Sequence, residues 1–295
     1  MSIKLIVSDM DGTLLNENLE VSKRAIKAII AAQNAGIEFA IATGRTLESG
    51  RSFIKDQGIV SPFIELNGAR LFDETGEVKF TRAMNQFDLL EMLKIIDYYK
   101  INHEIITQKG SYSSNTEKEE YETHMETFKD INPAISEKEL NEYVTGYMKQ
   151  FKVNRVRDLN FFKKTSDLQV LKILFNSYKN PAIFAEIEKE ISRKTDQLIV
   201  TSASNFNLEI NHLKANKGKA VADFAKMRGY QSDEVITIGD NINDLTMLDW
   251  ADHSYAVANA HQRAKEKATY LAPSHKEDAV AQIIEKVITG SNLEF

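Results

Sequence analysis

No cysteine occurs among the 295 residues, which excludes disulfides, thiolate metal sites and a cysteine nucleophile. No apolar run approaches the length needed to span a bilayer, and the N-terminus has no basic flank ahead of a long apolar segment. The expectation is a soluble cytoplasmic protein without membrane attachment. Positive charge is not in excess either: 37 Lys and Arg against 43 Asp and Glu leave a formal net charge of −6. That balance argues against a non-specific binder of nucleic acid or of membrane surfaces. The six histidines are scattered, with no pair at the i, i+4 spacing of metal ligands on a helix. Repeats and low-complexity segments are absent. What is left is a chain long for one compact core, for which two domains are the default expectation.

What is present begins with IKLIVSDMDGTLL, Ile3 to Leu15. Leu5, Ile6 and Val7 read as a buried strand of a parallel sheet. It ends in two aspartates one residue apart, Asp9 and Asp11, followed by Gly12 and Thr13. In open α/β sheets ligands bind beyond the carboxyl ends of strands. Two carboxylates placed there can divide labour, one attacking a phosphorus atom and the other moving a proton. An Asp/Gly turn that merely closes a strand is the plainer alternative. A second apolar strand, Ile37 to Ala42, ends in Thr43, Gly44 and Arg45. A hydroxyl and glycine-freed N–H groups suit a phosphoryl oxygen, although a surface Thr-Gly turn reads equally well.

Near the other end, Glu234 to Ile238 forms a strand pattern that runs into GDNIND, Gly239 to Asp244. Asp240 therefore lies at a strand end as Asp9 does, and Asn243 and Asp244 open the following helix. Few ligands, all oxygen, suit Mg²⁺, which keeps several waters and binds one or two carboxylates plus phosphate; helix capping is the simpler use of these residues. In NKGKAVADFAKMRG the apolar stripe Ala220, Val221, Phe224 and Ala225 extends back to Lys217 and leaves Lys219 toward solvent. A lysine heading a buried face asks for an anion, and phosphate fits, unless its ammonium snorkels to water.

Strand and helix patterns alternate up to about residue 83 and again after Leu208, as in a parallel sheet covered on both faces. In the first stretch a helix is expected over Leu47 to Gln57, and GARLFDETGEVKF reads as a hairpin turning at Glu74, Thr75 and Gly76. Between about 84 and 206 the chain is more polar, with helix patterns at Phe87 to Tyr99 and Ile183 to Ile191 and strand patterns at Asn102 to Thr107 and Val170 to Phe175. GSYSSNTEKEEYETHMETF reads as mobile or helical. The fold class that follows is α/β: a Rossmann-like parallel-sheet core formed by 1–83 and 207–295, interrupted by an inserted α+β domain at 84–206. Tyr98, Tyr99, Phe161, Phe162 and Trp250 read as packing residues, whereas Tyr112 is a candidate to face a substrate.

The four motifs, DMDGTLL, ATGR, NKG and GDNIND, occur in that order at strand ends and helix starts. Together they resemble the haloacid dehalogenase-like hydrolase superfamily, which is rich in Mg²⁺-dependent phosphatases. The place of the insertion, with ELNGAR, SYAVANAH and KEDAV, is similar to the Cof-type subfamily with its α+β cap. The resemblance implies a phosphatase of small phosphorylated metabolites, sugar phosphates among them. In it Asp9 forms an aspartyl-phosphate, and Asp11 protonates the leaving alcohol and then activates water. It also implies Mg²⁺ held by Asp9, the main-chain carbonyl of Asp11 and Asp240, with Asp244 in support, and phosphoryl oxygens held by Thr43, Gly44, Lys217 and Asn243. The cap would close over the site and select the substrate. Asp11 argues against dehalogenase chemistry, which needs no second acid, and a pump ATPase would need membrane helices. A phosphomutase, which shares both aspartates, and a non-catalytic sensor of phosphorylated metabolites are the remaining alternatives.

Overall fold

The computed structural model describes residues 2–165, 167–178, 180–202 and 206–295. It divides into two compact units, Met1–Arg82 with Lys214–Phe295, and Ala83–Leu213. The first stretch comprises β1 (Leu5–Ser8), α1 (Lys23–Asn34), β2 (Glu38–Ala42), α2 (Leu47–Arg51), β3 (Phe63–Glu65), β4 (Arg70–Phe72) and β5 (Val78–Thr81). The inserted unit follows, with α3 (Gln86–Tyr99), β6 (Asn102–Thr107), β7 (Gly110–Ser113), α4 (Glu117–Ile131), α5 (Glu137–Gln150), β8 (Val153–Arg155), α6 (Asn160–Lys164), β9 (Val170–Asn176), α7 (Ile183–Lys194), β10 (Leu198–Thr201) and β11 (Asn207–His212). The core then resumes through α8 (Lys217–Arg228), β12 (Val235–Gly239), α9 (Leu245–Trp250), β13 (His253–Val257), α10 (Gln262–Lys267), β14 (Tyr270–Ala272) and α11 (Ala279–Thr289). Among the described residues no helix is long and apolar enough to cross a membrane.

The core sheet runs β14-β13-β12-β1-β2-β3-β4-β5, parallel as far as β3, with β4 and β5 added antiparallel. Successive strands build outward from β1 in one direction through β2 and β3, and in the other through β12, β13 and β14. The sheet order therefore reverses at β1, which makes its carboxyl end the crevice where such sheets take ligands. The apolar run of β1 has a packing cause. Leu5 and Val7 join the cluster with Ala220, Val221 and Phe224 of α8, and Ile6 joins the opposite one with α1 and α11. All three are fully buried, as a strand covered on both faces requires.

The inserted unit is built on a sheet of order β10-β11-β9-β6-β7-β8, antiparallel except where β7 meets β8. Ile105, Ile173, Phe175 and Ile210 bury one face of it against α3 and α7. The unit runs on to Leu213, past the expected limit of 206, because β11 pairs with both β9 and β10. Four further expectations need correction. Helix α2 stops at Arg51, short of the expected Gln57, and the left-handed backbone angles of Asp56 and Gly58 keep a helix from resuming through that stretch. Gly110 to Ser113 is a strand, supported by pairing with β6. Tyr112 stacks on Phe161 with ring centroids 5.5 Å apart and meets Phe162 edge-on at 5.9 Å, so its ring joins the unit's own apolar cluster. Tyr98, expected to pack, is 76% exposed.

Candidate active site

Asp9 follows β1 directly, and its N–H donates to Ile238 O of β12 at 2.8 Å, so the first acidic residue is stitched to the neighbouring strand's end. The chain then makes a turn, Met10 to Leu14, closed by Leu15 N–H on Met10 O at 2.9 Å. Gly12 is required there twice over. Its φ is +76°, and a Cβ on it would lie 2.6 Å from Asp240 Oδ2. Thr13 Oγ1 donates to Asp240 Oδ1 at 3.3 Å.

From the end of β12, Asp244 folds back beneath Asp240. Its Oδ2 accepts the N–H groups of Asp240 (2.8 Å) and Asn241 (3.0 Å), and its Oδ1 accepts from Lys217 Nζ at 2.6 Å. Lys217 also donates to Asp9 Oδ1 at 2.5 Å and has no solvent exposure. The motif NKG explains how a lysine arrives there. Asn216 caps α8 by accepting from Lys219 N–H at 2.8 Å. Gly218 lets the helix press on α9, since a Cβ would strike Thr246 O at 2.2 Å. Lys217 is thereby turned inward, while the half-exposed Lys219 pairs with Asp223 at 2.7 Å.

One oxygen each of Asp9, Asp240 and Asp244 lies within 4.8 Å of the others. Burial is the main cause that raises the Asp9 carboxyl well above the usual range, with Asp244 and Asp240 adding to it against the pull of Lys217. Asp240 is pushed up to about 7, chiefly by burial and then by the charge of Asp244. Burial works against a charged Lys217, yet Asp244 and Asp9 together raise its pKa above the ordinary value. Asp9 and Asp244, both buried, thus share one ammonium, with the partly buried Asp240 beside them.

Thr43, at the end of β2, is fully buried and accepts the Arg45 N–H on Oγ1 at 3.1 Å. Asn67, in the left-handed region at φ 60°, donates its N–H to Thr43 O at 2.9 Å. It also accepts Asn243 Nδ2 on Oδ1 at 3.1 Å. A Cβ on Gly44 would lie 3.1 Å from that same Oδ1. Thr43, Gly44 and Asn243 therefore gather around Asn67. The Asp11 carboxylate does not enter the acidic cluster; both its oxygens are taken by Arg45, from Nε at 2.7 Å and Nη2 at 2.6 Å. Arg45 in turn lies over the Phe53 ring at 4.7 Å.

Sequence reasoning assigned no role to Arg45, Asn67 or Thr13. The Asn-Gly pair inside ELNGAR was the available signal for Asn67, because those residues mark left-handed turns.

A family model described as haloacid dehalogenase-like hydrolase matches residues 6–284. The chain belongs to that family. Phosphatase YwpJ of Bacillus subtilis is 26% identical over 97% of this chain and all of its own length. The 5-amino-6-(5-phospho-D-ribitylamino)uracil phosphatase YwtE of the same organism is 29% identical over 98% of this chain and 99% of its own. A solved haloacid dehalogenase-like hydrolase from B. subtilis superposes with a TM-score of 0.83 at 25% identity, covering 96% of this chain and 99% of that one. This haloacid dehalogenase-like hydrolase is accordingly an enzyme of the Cof-type phosphatase group.

Proposed function

We propose that the enzyme hydrolyses small phosphorylated metabolites, sugar phosphates or similar, through an aspartyl-phosphate on Asp9, with Mg²⁺ as cofactor. The observation that carries this reading is the buried cluster at the reversal point of the sheet, where Asp9 lies beside Asp240, Asp244 and Lys217. The donor set fits a hard divalent cation: all ligand atoms are oxygens, and three carboxyl groups converge beside a single ammonium. Asp9, Asp240 and the main-chain carbonyl of Asp11 would hold Mg²⁺, with Asp244 supporting them. When bound, it supplies neutralisation of the charge carried by the phosphoryl oxygens.

The chain's own residues do the rest. An Asp9 oxygen attacks phosphorus as the bond from phosphorus to the ester oxygen breaks, and Asp11 gives that oxygen a proton. In the second step water loses a proton to Asp11 and attacks the same phosphorus, which releases phosphate and restores Asp9. Lys217 holds the Asp9 carboxylate in line and, with the Thr43 hydroxyl, the Gly44 N–H and the Asn243 amide, takes the phosphoryl oxygens. Because Arg45 occupies both oxygens of Asp11, one of its two hydrogen bonds yields whenever Asp11 carries the proton. The inserted unit, 84–206 by the sequence reading, selects the ester; the core carries the general chemistry.

The test is hydrolysis of p-nitrophenyl phosphate and acetyl phosphate with Mg²⁺ and with excess EDTA, followed by a panel of phosphorylated metabolites. Turnover that stops on chelation and returns with Mg²⁺ is expected. Activity that survives complete chelation removes the metal from the scheme, and dependence on a sugar bisphosphate would mark a mutase instead.

A further inference from the structure

The geometry points to Asn259, in the segment after β13, as a positioning residue for the turn that bears Asp11. Asn259 Nδ2 donates to the Gly12 carbonyl at 2.8 Å. On the other side of the amide, Oδ1 accepts the His275 N–H at 3.0 Å and the Ser274 hydroxyl at 3.4 Å. Donors face the oxygen and an acceptor faces the nitrogen, so the amide has one orientation that satisfies all three partners. The side chain is exposed. Apolar packing therefore does not account for this residue, whereas its three hydrogen bonds do.

What is held matters more than the bond itself. Gly12 is the left-handed residue of the turn, between Asp11 and the Thr13 that donates to Asp240 Oδ1. Fixing the Gly12 carbonyl fixes the peptide plane leading to Thr13, and with it the approach of the turn to Asp240. Two residues on, His261 N–H donates to the Asp240 carbonyl at 2.7 Å. One short segment therefore anchors both acidic loops. Ala258 N–H on Pro273 O at 3.2 Å and Ala260 N–H on Val257 O at 2.8 Å hold that segment. Arg45 restrains Asp11 through its side chain, and Asn259 restrains the adjoining backbone. Asn259 touches no reacting atom in this arrangement; it acts through Gly12.

This inference rests on the proposed phosphatase reading, and its test separates the two. Asn259→Asp keeps an acceptor for Ser274 and His275 but replaces the donor by an oxygen facing the Gly12 carbonyl; Asn259→Ala removes both sides. In Asn259→Asp, kcat for p-nitrophenyl phosphate is expected to fall about tenfold with KM within about twofold. Amide exchange of Gly12 to Leu15 should quicken while β1 stays protected. Wild-type kcat together with wild-type exchange in Asn259→Asp overturns the proposal whatever Asn259→Ala does. So does exchange that quickens throughout β1 together with lost thermal stability, since that marks a merely structural residue. If the wild-type enzyme shows no turnover on any ester, the phosphatase reading fails. The exchange experiment then decides alone: faster exchange confined to the turn supports the role of Asn259, and unchanged exchange removes it.

Discussion

In the core unit β1 buries Leu5 and Val7 on one face and Ile6 on the other, and no charged side chain interrupts it. In the inserted unit β9 packs Ile173 and Phe175 against α3 and α7 but carries Lys172 directly before them, paired with Glu209 at 2.7 Å. The contrast follows from layering. A strand covered on both faces has little room along its length for a charged group, and the polar side chains it does bury, such as Thr237 donating to Met247 O at 3.1 Å, must find a partner; reactive groups therefore collect where strands end. A sheet whose apolar cluster lies on one face can seat ion pairs on the other. The general chemistry proposed for this protein lies accordingly at four strand and helix ends of the core.

Asp9→Asn is the most severe way to test that assignment. The side chain keeps its shape but loses the nucleophilic oxygen, and kcat should fall by at least ~10³-fold, with no phosphoenzyme trapped. The fold should survive, because one charge is removed from a crowded group of carboxylates. A folded Asp9→Asn enzyme with measurable turnover and a trapped phosphoenzyme would place the nucleophile elsewhere.

The same layering decides what was legible in the sequence. The run Leu5 to Val7 announces a strand buried on both faces, and its end locates Asp9. The stripe of α8 separates Lys217 from Lys219 by simple helical periodicity. β7 was not legible, because Gly110 to Ser113 is polar and owes its extended form to pairing with β6. β11 escaped assignment to the inserted unit because its partners, β9 and β10, are chosen by tertiary contacts. The Arg45–Asp11 pair joins positions 34 residues apart in the chain, and no local pattern reports so distant a partner. Asn259 is hidden for the same reason: its partners are a main-chain carbonyl, a main-chain N–H and the Ser274 hydroxyl, all of other loops.

Lys217→Ala against Lys219→Ala comes next in expected size. Removing the buried ammonium leaves Asp9 and Asp244 without their shared cation and removes a phosphoryl contact, so kcat/KM should drop about a hundredfold or more. Lys219 sits in an exposed pair with Asp223, and such pairs contribute about 0–1 kcal/mol, so its loss should leave turnover nearly unchanged. Equal behaviour of the two variants would mean that helical face does not separate the roles of these lysines.

Arg45→Ala asks a finer question of the core. The pair with Asp11 is partly exposed, with side-chain exposures of 27% and 45%, so thermal stability should hardly move. Turnover should fall roughly tenfold as Asp11 loses its fixed orientation. The Mg²⁺ concentration giving half-maximal activity should stay constant, because the Asp11 contribution to metal binding is assigned to its main chain. A parallel rise in that concentration would show that Arg45 shapes the backbone turn as well.

The smallest effect belongs to the inserted unit. His103 is buried on β6, with Nδ1 on Ile101 O at 3.0 Å and Nε2 accepting from Ser114 N–H at 3.3 Å and lying 3.2 Å from Ser114 Oγ. It lines a cavity of about 30 Å³ together with Glu104, Glu120 and His124. Burial lowers its pKa, against the Ile101 carbonyl and the charges of Asp97 and Glu119, which favour the imidazolium. The sign follows directly. Because the folded-state value lies below 6.5, the unfolded chain takes up the proton first as pH falls. The folded unit then binds fewer protons, and its stability declines with acidification below about pH 6.5 while being fully present above it. The Ser114 N–H also loses its acceptor once Nε2 is protonated. Two units need not melt in a single transition, so amide exchange in β6 and β7 is the appropriate measurement. Protection there should weaken between about pH 7.5 and pH 5.5 by no more than roughly 1 kcal/mol, while protection in β1 does not follow the same course. His103→Gln, which cannot titrate, should flatten that decline. An acid-dependent loss of equal size in the variant would assign the pH response to Glu120 instead, whose carboxyl, against its burial, is held below its ordinary value by His124 and Arg155.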